Sequence, residues 1–290
     1  MTAGVETPGD PGSRPDLIAH RGYAARYPEN TLPALEAAAA AGARFVEVDV
    51  QLAADGVPVL FHDHGLRRVC GVGGLVHRWP FAELERLSAH EPGRFGRKFH
   101  GTPLLPLSGL RRFLDAHPGI TAFVEAKSTA VRQFGVARVL DAIAAELQPV
   151  AGRCGLIARS AAVLGAARER LEQASGPVGW HAIGGVISRW RDRSALARLR
   201  PEYLFCAVAG LPREGALALP GTRVAVYEVA DPDLAMRLHR RGVDLIETFA
   251  IAEMQRALTS RARQREAAPG GAARRKGQGS PRRADPGNDG

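Results

Sequence analysis

Residues 45–62 read Phe45-Val46-Glu47-Val48-Asp49-Val50-Gln51-Leu52-Ala53-Ala54-Asp55-Gly56-Val57-Pro58-Val59-Leu60-Phe61-His62. The period of two places Glu47 and Asp49 on one face of a strand and Val46, Val48 and Val50 on the other. Between Leu52 and Val57 lie only Ala53, Ala54, Asp55 and Gly56, far short of the roughly dozen residues that join parallel strands. Asp-Gly is a hairpin signal, so Val57–Phe61 is expected to double back as an antiparallel arm. A turn centred on Asp55-Gly56 pairs Asp49 with His62 and Glu47 with His64, and leaves Val48, Val50, Leu52, Val57, Val59 and Phe61 as an apolar face.

Outward from this hairpin, β-rich runs alternate with Ala/Leu/Arg segments of helical period. The further strand candidates are Leu17–His20, Thr121–Ala126, Gly155–Arg159, Val178–Ile183, Tyr203–Val208, Arg223–Val229 and Val243–Glu247, and the strand before the turn is drawn as Arg44–Leu52. With the hairpin arm set aside, eight parallel strands over about 245 residues have the dimensions of a (β/α)8 TIM barrel. Thr31 is placed to cap the Ala-rich helix that follows, with Pro33 in its first turn and Gly42 beyond its end. Residues 64–118 break the β/α rhythm with Gly71, Gly73 and Gly74 and are expected to form an excursion at the barrel mouth.

The chain has 290 residues, 45% of them apolar, and a net charge of +9, enough for one full core with ragged ends. Much of the charge is local: the segment from Arg261 holds eight basic against three acidic residues and almost no large apolar one. It is expected to be a disordered basic tail, as residues 1–15 are expected to be a disordered leader to the barrel at 16–260. No nucleic-acid partner is expected on this charge alone. No apolar run is long enough to span a bilayer and no secretory signal precedes the first strand, so stable membrane insertion is not expected. Cys70, Cys154 and Cys206 are too dispersed for a disulfide scaffold or a zinc module, and a reducing cytoplasm fits.

Glu125 ends another apolar strand, so three acids, Glu47, Asp49 and Glu125, converge on one mouth. Carboxylates so gathered raise one another's pKa unless a cation sits among them, and an all-oxygen set suits Mg²⁺ or Ca²⁺; separate pairing of each acid with an arginine is the alternative. His20 and His62 each sit at a strand end, where imidazoles flanking a cation supply a general base and a general acid. Arg21 and Lys127 are placed to hold a phosphate. Of the other histidines only His181, on the expected strand Val178–Ile183, stands out.

His20-Arg21-Gly22, Glu29-Asn30-Thr31, Glu47-Val48-Asp49-Val50, Asp55-Gly56, His62-Asp63 with Leu66-Arg67-Arg68, and Glu125-Ala126-Lys127 together resemble the glycerophosphodiester phosphodiesterase family in order and spacing. The resemblance implies a barrel that uses one divalent cation to cleave small glycerophosphodiesters into glycerol 3-phosphate and an alcohol. It implies Glu47, Asp49 and Glu125 as metal ligands, His20 and His62 as the acid/base pair, and Arg21, Asn30 and Lys127 as phosphate or substrate contacts. Later in the chain the pattern departs from the family. Tyr227-Glu228-Val229-Ala230 stands where Trp-Thr-Val-Asn is common, keeping an aromatic substrate contact at Tyr227, and Ile246-Glu247-Thr248-Phe249-Ala250-Ile251 stands where Ile-Thr-Asp-x-Pro is usual. Glu228 and Glu247 are new polar residues in the mouth, with Glu247 a candidate fourth acid near the metal. Two other readings stay open: a phospholipase-like headgroup phosphodiesterase, for which the excursion would supply an apolar rim, and a catalytically silent barrel that binds a phosphorylated ligand. Headgroup and oligomeric state are not encoded in any motif.

Overall fold

The computed structural model describes residues 13–267. Nine strands form one sheet: β1 (Asp16–His20), β2 (Phe45–Leu52), β3 (Pro58–Leu60), β4 (Thr121–Ala126), β5 (Cys154–Ala158), β6 (Ala182–Ile187), β7 (Tyr203–Ala207), β8 (Arg223–Tyr227) and β9 (Leu245–Thr248). All but β3 run parallel, in the order β1-β9-β8-β7-β6-β5-β4-β2, and β1 pairs with β2 to close the barrel. Helices cover the outside, the first (Leu32–Ala40) capped by Thr31 Oγ1, which accepts from Ala34 N at 3.4 Å.

Alternation along each strand sorts the two faces. Val46, Val48, Val50, Val124, Leu156, Leu204, Val224 and Ile246 pack outward against the helices. Ile18, Phe123, Ile157, Val186, Phe205, Ala225 and Leu245 fill the barrel interior. The inner positions toward the strand C-termini go to Glu47, Asp49, Glu125 and Glu247, so a charged layer lies above an apolar plug, at the end where barrel sites form.

The hairpin differs by one residue from the expected register. Val50 pairs with Leu60 and Leu52 with Pro58, because the loop has three residues, Ala54-Asp55-Gly56, closed by Ala53 N–H to Val57 O at 2.9 Å with Gly56 at φ +89°. A three-residue hairpin loop of this kind puts its glycine in the left-handed region. Asp49 therefore lies opposite Phe61, whose N–H donates to Asp49 O at 2.9 Å, and not opposite His62. Val59 and Phe61 then face the excursion, joining Leu66, Val69, Val76, Leu84 and Leu104 in a second small core.

β6 also lies four residues beyond its expected start. Gly184 and Gly185, poor strand formers in isolation, sit inside it because neighbours occupy the space of a side chain: a Cβ on Gly184 would lie 2.9 Å from Ile157 Cγ2. His181 consequently precedes the strand, exposed, with its N–H on Cys154 O at the end of the barrel opposite the acids. The last helix, Ile251–Ala267, runs past the expected start of the tail at residue 261. The rest of that tail and residues 1–12 lie outside the described residues.

Candidate active site

β2 carries Glu47 and Asp49 inward, and β4, paired with β2 so that Asp49 faces Glu125, brings the third acid alongside. Oxygens of Glu47, Asp49 and Glu125 all lie within 4.8 Å of one another, and all three residues are buried. Two donor atoms that share one cation at about 2.4 Å are separated by no more than twice that distance, so the three carboxylates fit a single hard ion. Glu47 Oε1 has no hydrogen-bond partner, the state expected of an oxygen that awaits a ligand rather than a protein donor, while Glu125 Oε1 has only the Lys127 ammonium, at 3.3 Å. The separate-pairing alternative holds for Asp49, to which Arg21 Nε lies at 3.1 Å and Lys127 Nζ donates at 2.9 Å. It does not hold for Glu47, which lacks any arginine or lysine side-chain contact within 4.0 Å among the described residues.

The electrostatics follow from this division. Burial, then the charge of Asp49, pushes the Glu47 carboxyl well above the usual range. Burial raises Glu125 as well, against the pull of Lys127. Asp49 goes the other way: burial opposes ionisation, yet Arg21 and Lys127 hold its carboxyl far below the usual range. A second cluster joins His20, Glu47 and Glu247, again within 4.8 Å. Glu247 is buried with its Oε1 unpartnered, and burial and Glu125 raise its pKa strongly; the structure thus brings this acid to the edge of the carboxylate group.

His20 closes β1 and is buried, its ring stacked on Phe249 with centroids 4.5 Å apart and planes within 5°. Its Nε2 lies 3.6 Å from Glu47 Oε2 and its Nδ1 3.4 Å from Glu228 Oε1. Burial, then the charge of Arg21, lowers the imidazole pKa well below the ordinary value. His62 lies beyond the end of β3, where Gln51 gathers the chain: its Nε2 donates to the carbonyls of Phe61, His62 and Asp63, and its Oε1 accepts from Thr129 Oγ1 at 2.9 Å. The one-residue slip thus leaves His62 at the site through a side-chain clamp and not through the ladder. His62 Nδ1 is 2.8 Å from Asp63 Oδ1, and Arg68 grips Asp63 with Nε at 2.7 Å and Nη2 at 2.9 Å. An open groove lined by His62, Asp63, His64, Gly65, Arg67 and Arg68 adjoins.

Arg21 and Asn30, the expected phosphate contacts near β1, are turned to acids. Arg21 Nη1 donates to both oxygens of Glu29 at 3.1 Å. Asn30 Nδ2 donates to Asp49 Oδ2 at 2.9 Å and its Oδ1 accepts from Asp49 N at 3.1 Å, so its amide orients Asp49. Lys127 reaches both Asp49 and, at 3.3 Å, Glu125. Tyr227 stands at the mouth on β8, its hydroxyl donating to Ile187 O at 2.9 Å and accepting from Arg159 Nη2 at 3.0 Å. Gln51, Phe249 and Arg159 escaped the motif reading. The inward parity of Gln51 on β2 was the signal for it; Phe249 and Arg159 had none, since their partners are distant in sequence.

Residues 20–148 match the family model described as the glycerophosphoryl diester phosphodiesterase family. A glycerophosphodiester phosphodiesterase of Bacillus altitudinis is 44% identical over 70 residues, 24% of this chain and 29% of its own length. One from Caldanaerobacter subterraneus subsp. tengcongensis is 40% identical over 85 residues, 29% of this chain and 34% of its own length. The chain therefore spans about a third of the length of these relatives. A phosphodiesterase of Oleispira antarctica, solved with the product sn-glycerol-3-phosphate, superposes with a TM-score of 0.72 at 24% identity over 85% of this chain and 97% of that one, a likeness of fold. Over residues 20–148, the chain is thus similar to the glycerophosphoryl diester phosphodiesterase family.

Proposed function

We propose that this barrel is a metal-dependent phosphodiesterase: water and a glycerophosphodiester give glycerol 3-phosphate and an alcohol, with His20 and His62 as general base and general acid. The observation that carries the reading is the set of three buried carboxylates within 4.8 Å, among which Glu47 keeps an oxygen that no protein group satisfies. Glu47, Asp49 and Glu125 would hold Mg²⁺ or Ca²⁺, which when bound polarises a phosphate oxygen and offsets the acids' charge.

The chain's own groups supply the rest. Burial keeps His20 neutral near pH 7, fit to accept a proton. Carboxylates face both ring nitrogens, Glu228 Oε1 at 3.4 Å from Nδ1 and Glu47 Oε2 at 3.6 Å from Nε2, so whichever nitrogen lacks the proton is the acceptor. Asp63 holds His62 Nδ1, so Nε2 is the atom to donate to the departing alcohol; exchange of the two roles leaves the residue set unchanged. Lys127 and Arg21 bring positive charge to the phosphate, and Asn30 keeps Asp49 in place.

A small, water-borne substrate fits better than a lipid surface. The excursion turns most of its apolar groups inward, with Val76 buried, and only Leu32 and Val72 are exposed large apolar side chains among the described residues. No described helix is long and apolar enough to cross a membrane. Buried, unpaired Cys70, Cys154 and Cys206 suit the cytoplasmic placement that belongs to this proposal. The test is a panel of glycerophosphodiesters and a micellar phospholipid assayed with Mg²⁺, Ca²⁺ and EDTA. Chelator-sensitive release of glycerol 3-phosphate supports the reading; preference for the micelle favours the lipid enzyme, and no release with either ion favours the silent binder.

A further inference from the structure

Three side chains at the mouth take no part in the chemistry above. Ile157 on β5, Val186 on β6 and Ala225 on β8 point into the barrel, so Arg159, Ser188 and Tyr227, each two residues further on, share that direction one layer higher. β4 and β5 pair Glu125 with Ile157; continued by two residues, that register sets Arg159 level with Lys127 on the neighbouring segment.

Arg159 is fixed without a carboxylate in contact, although its charge reaches Glu125. Its Nη1 donates to Ser188 Oγ at 2.9 Å and its Nη2 to the Tyr227 hydroxyl at 3.0 Å, and that hydroxyl is itself anchored on Ile187 O. Both contacts are to neutral oxygens, and no carboxylate lies within 4.0 Å of Arg159 among the described residues. Arg21 and Lys127, by contrast, each touch two acids. Glu228, next along the rim, is turned to His20. Arg159 Nε–H and the second hydrogen on each terminal nitrogen stay available at an exposed position.

We infer that Arg159, held by Ser188 and Tyr227, is a subsite for a second anionic group on the substrate, a carboxylate or a phosphate carried by the alcohol of the diester. This rests on the hydrolytic reading, in which the glycerol end offers only neutral hydroxyls and a second anion can come only from the alcohol. An already oriented guanidinium bonds an anion about twice as strongly as a neutral acceptor, and a quaternary ammonium would meet like charge.

The test uses matched diesters. Glycerophosphoglycerate and glycerophosphoglycerol differ by a carboxylate in place of a hydroxymethyl group; glycerophosphoglycerol phosphate supplies the phosphate arm, and diester loss is followed by phosphorus NMR. The expected result is a kcat/KM for the better anionic diester about tenfold above that for glycerophosphoglycerol, expressed mainly in KM. Arg159→Gln abolishes that ratio, Arg159→Lys restores part of it, and Ser188→Ala, which frees one anchor, lowers it severalfold. A ratio near one, or a ratio that Arg159→Gln leaves in place, overturns the subsite while hydrolysis stands. If no diester is cleaved with either ion, the hydrolytic reading fails on its own, and calorimetric affinities for the same pairs still decide the subsite: equal affinities overturn it.

Discussion

The two halves of the barrel mouth are built on different rules. On the β1–β4 side, charges alternate along a connected chain: His62 to Asp63, Arg68, Glu29, Arg21, Asp49, Lys127 and Glu125, each in contact with the next. Glu91 ties the chain to the excursion through Glu29 N at 2.7 Å and Arg94 at 2.8 Å. On the β5–β9 side, Arg159 rests on hydroxyls, Glu228 is partly exposed, and Glu247 is buried with an unpartnered oxygen. Mutually locked charges cost little reorganisation during a reaction, so the first half is suited to hold chemistry in fixed geometry. Groups with spare hydrogen-bonding capacity are suited to meet a variable ligand, which is the role open to the second half.

Removing carboxylates of the three-acid cluster is the severest way to break this contrast. Glu47→Gln and Glu125→Gln are expected to lower chelator-sensitive turnover by about 10³-fold or more, read in steady-state assays. In EDTA, Glu47→Gln raises the melting temperature. Its folded-state pKa lies above the unfolded value, so the wild-type carboxylate costs stability as pH rises above about 4, and that part of the slope disappears in the variant. Wild-type protein gains stability on addition of Mg²⁺ or Ca²⁺, and Glu47→Gln does not.

Next in size, His20→Ala and His62→Ala each lower kcat by about 10²- to 10⁴-fold with the fold retained by circular dichroism; full activity in either removes that residue from the mechanism. Phe249→Ala sharpens the comparison from the second half, since that ring stacks on His20 and lies under the Arg21 guanidinium, its centroid 5.6 Å away, without reaching the reacting atoms itself. A stacked pair is worth about 0.5–1.5 kcal/mol, so kcat falls about two- to tenfold with KM little changed. The smallest effect belongs to Asp63. Arg68 and His62, working against partial burial, depress its carboxyl to about 2. The stability this contributes is complete above the unfolded value of about 3.9 and lost as pH falls through about 2. Urea unfolding at pH 5 and pH 3 therefore shows a smaller acid loss for Asp63→Asn than for wild type.

The sequence exposed the first half well because its signals are local. Glu47 and Asp49 share a face by strand parity, and His20, His62 and Glu125 each close an apolar run. The hairpin itself was legible, but its register turned on whether Gly56 closes a two- or three-residue loop, a difference of backbone conformation that Asp-Gly does not specify. β6 moved because the need for Gly184 arises from Ile157 and Tyr203 on neighbouring strands. Gln51 read as one more strand residue, although its amide gathers three carbonyls of the His62 segment. Phe249 and Arg159 depend on partners far away in sequence, His20 for one and Ser188 and Tyr227 for the other, so only the closed barrel assembles them.

Anomalous diffraction from crystals grown with Mn²⁺ as a stand-in hard cation tests the central claim most directly. The account predicts one strong peak at about 2.0–2.6 Å from oxygens of Glu47, Asp49 and Glu125, with His20 and His62 on either side. A peak held elsewhere, or none at saturating Mn²⁺, would contradict it.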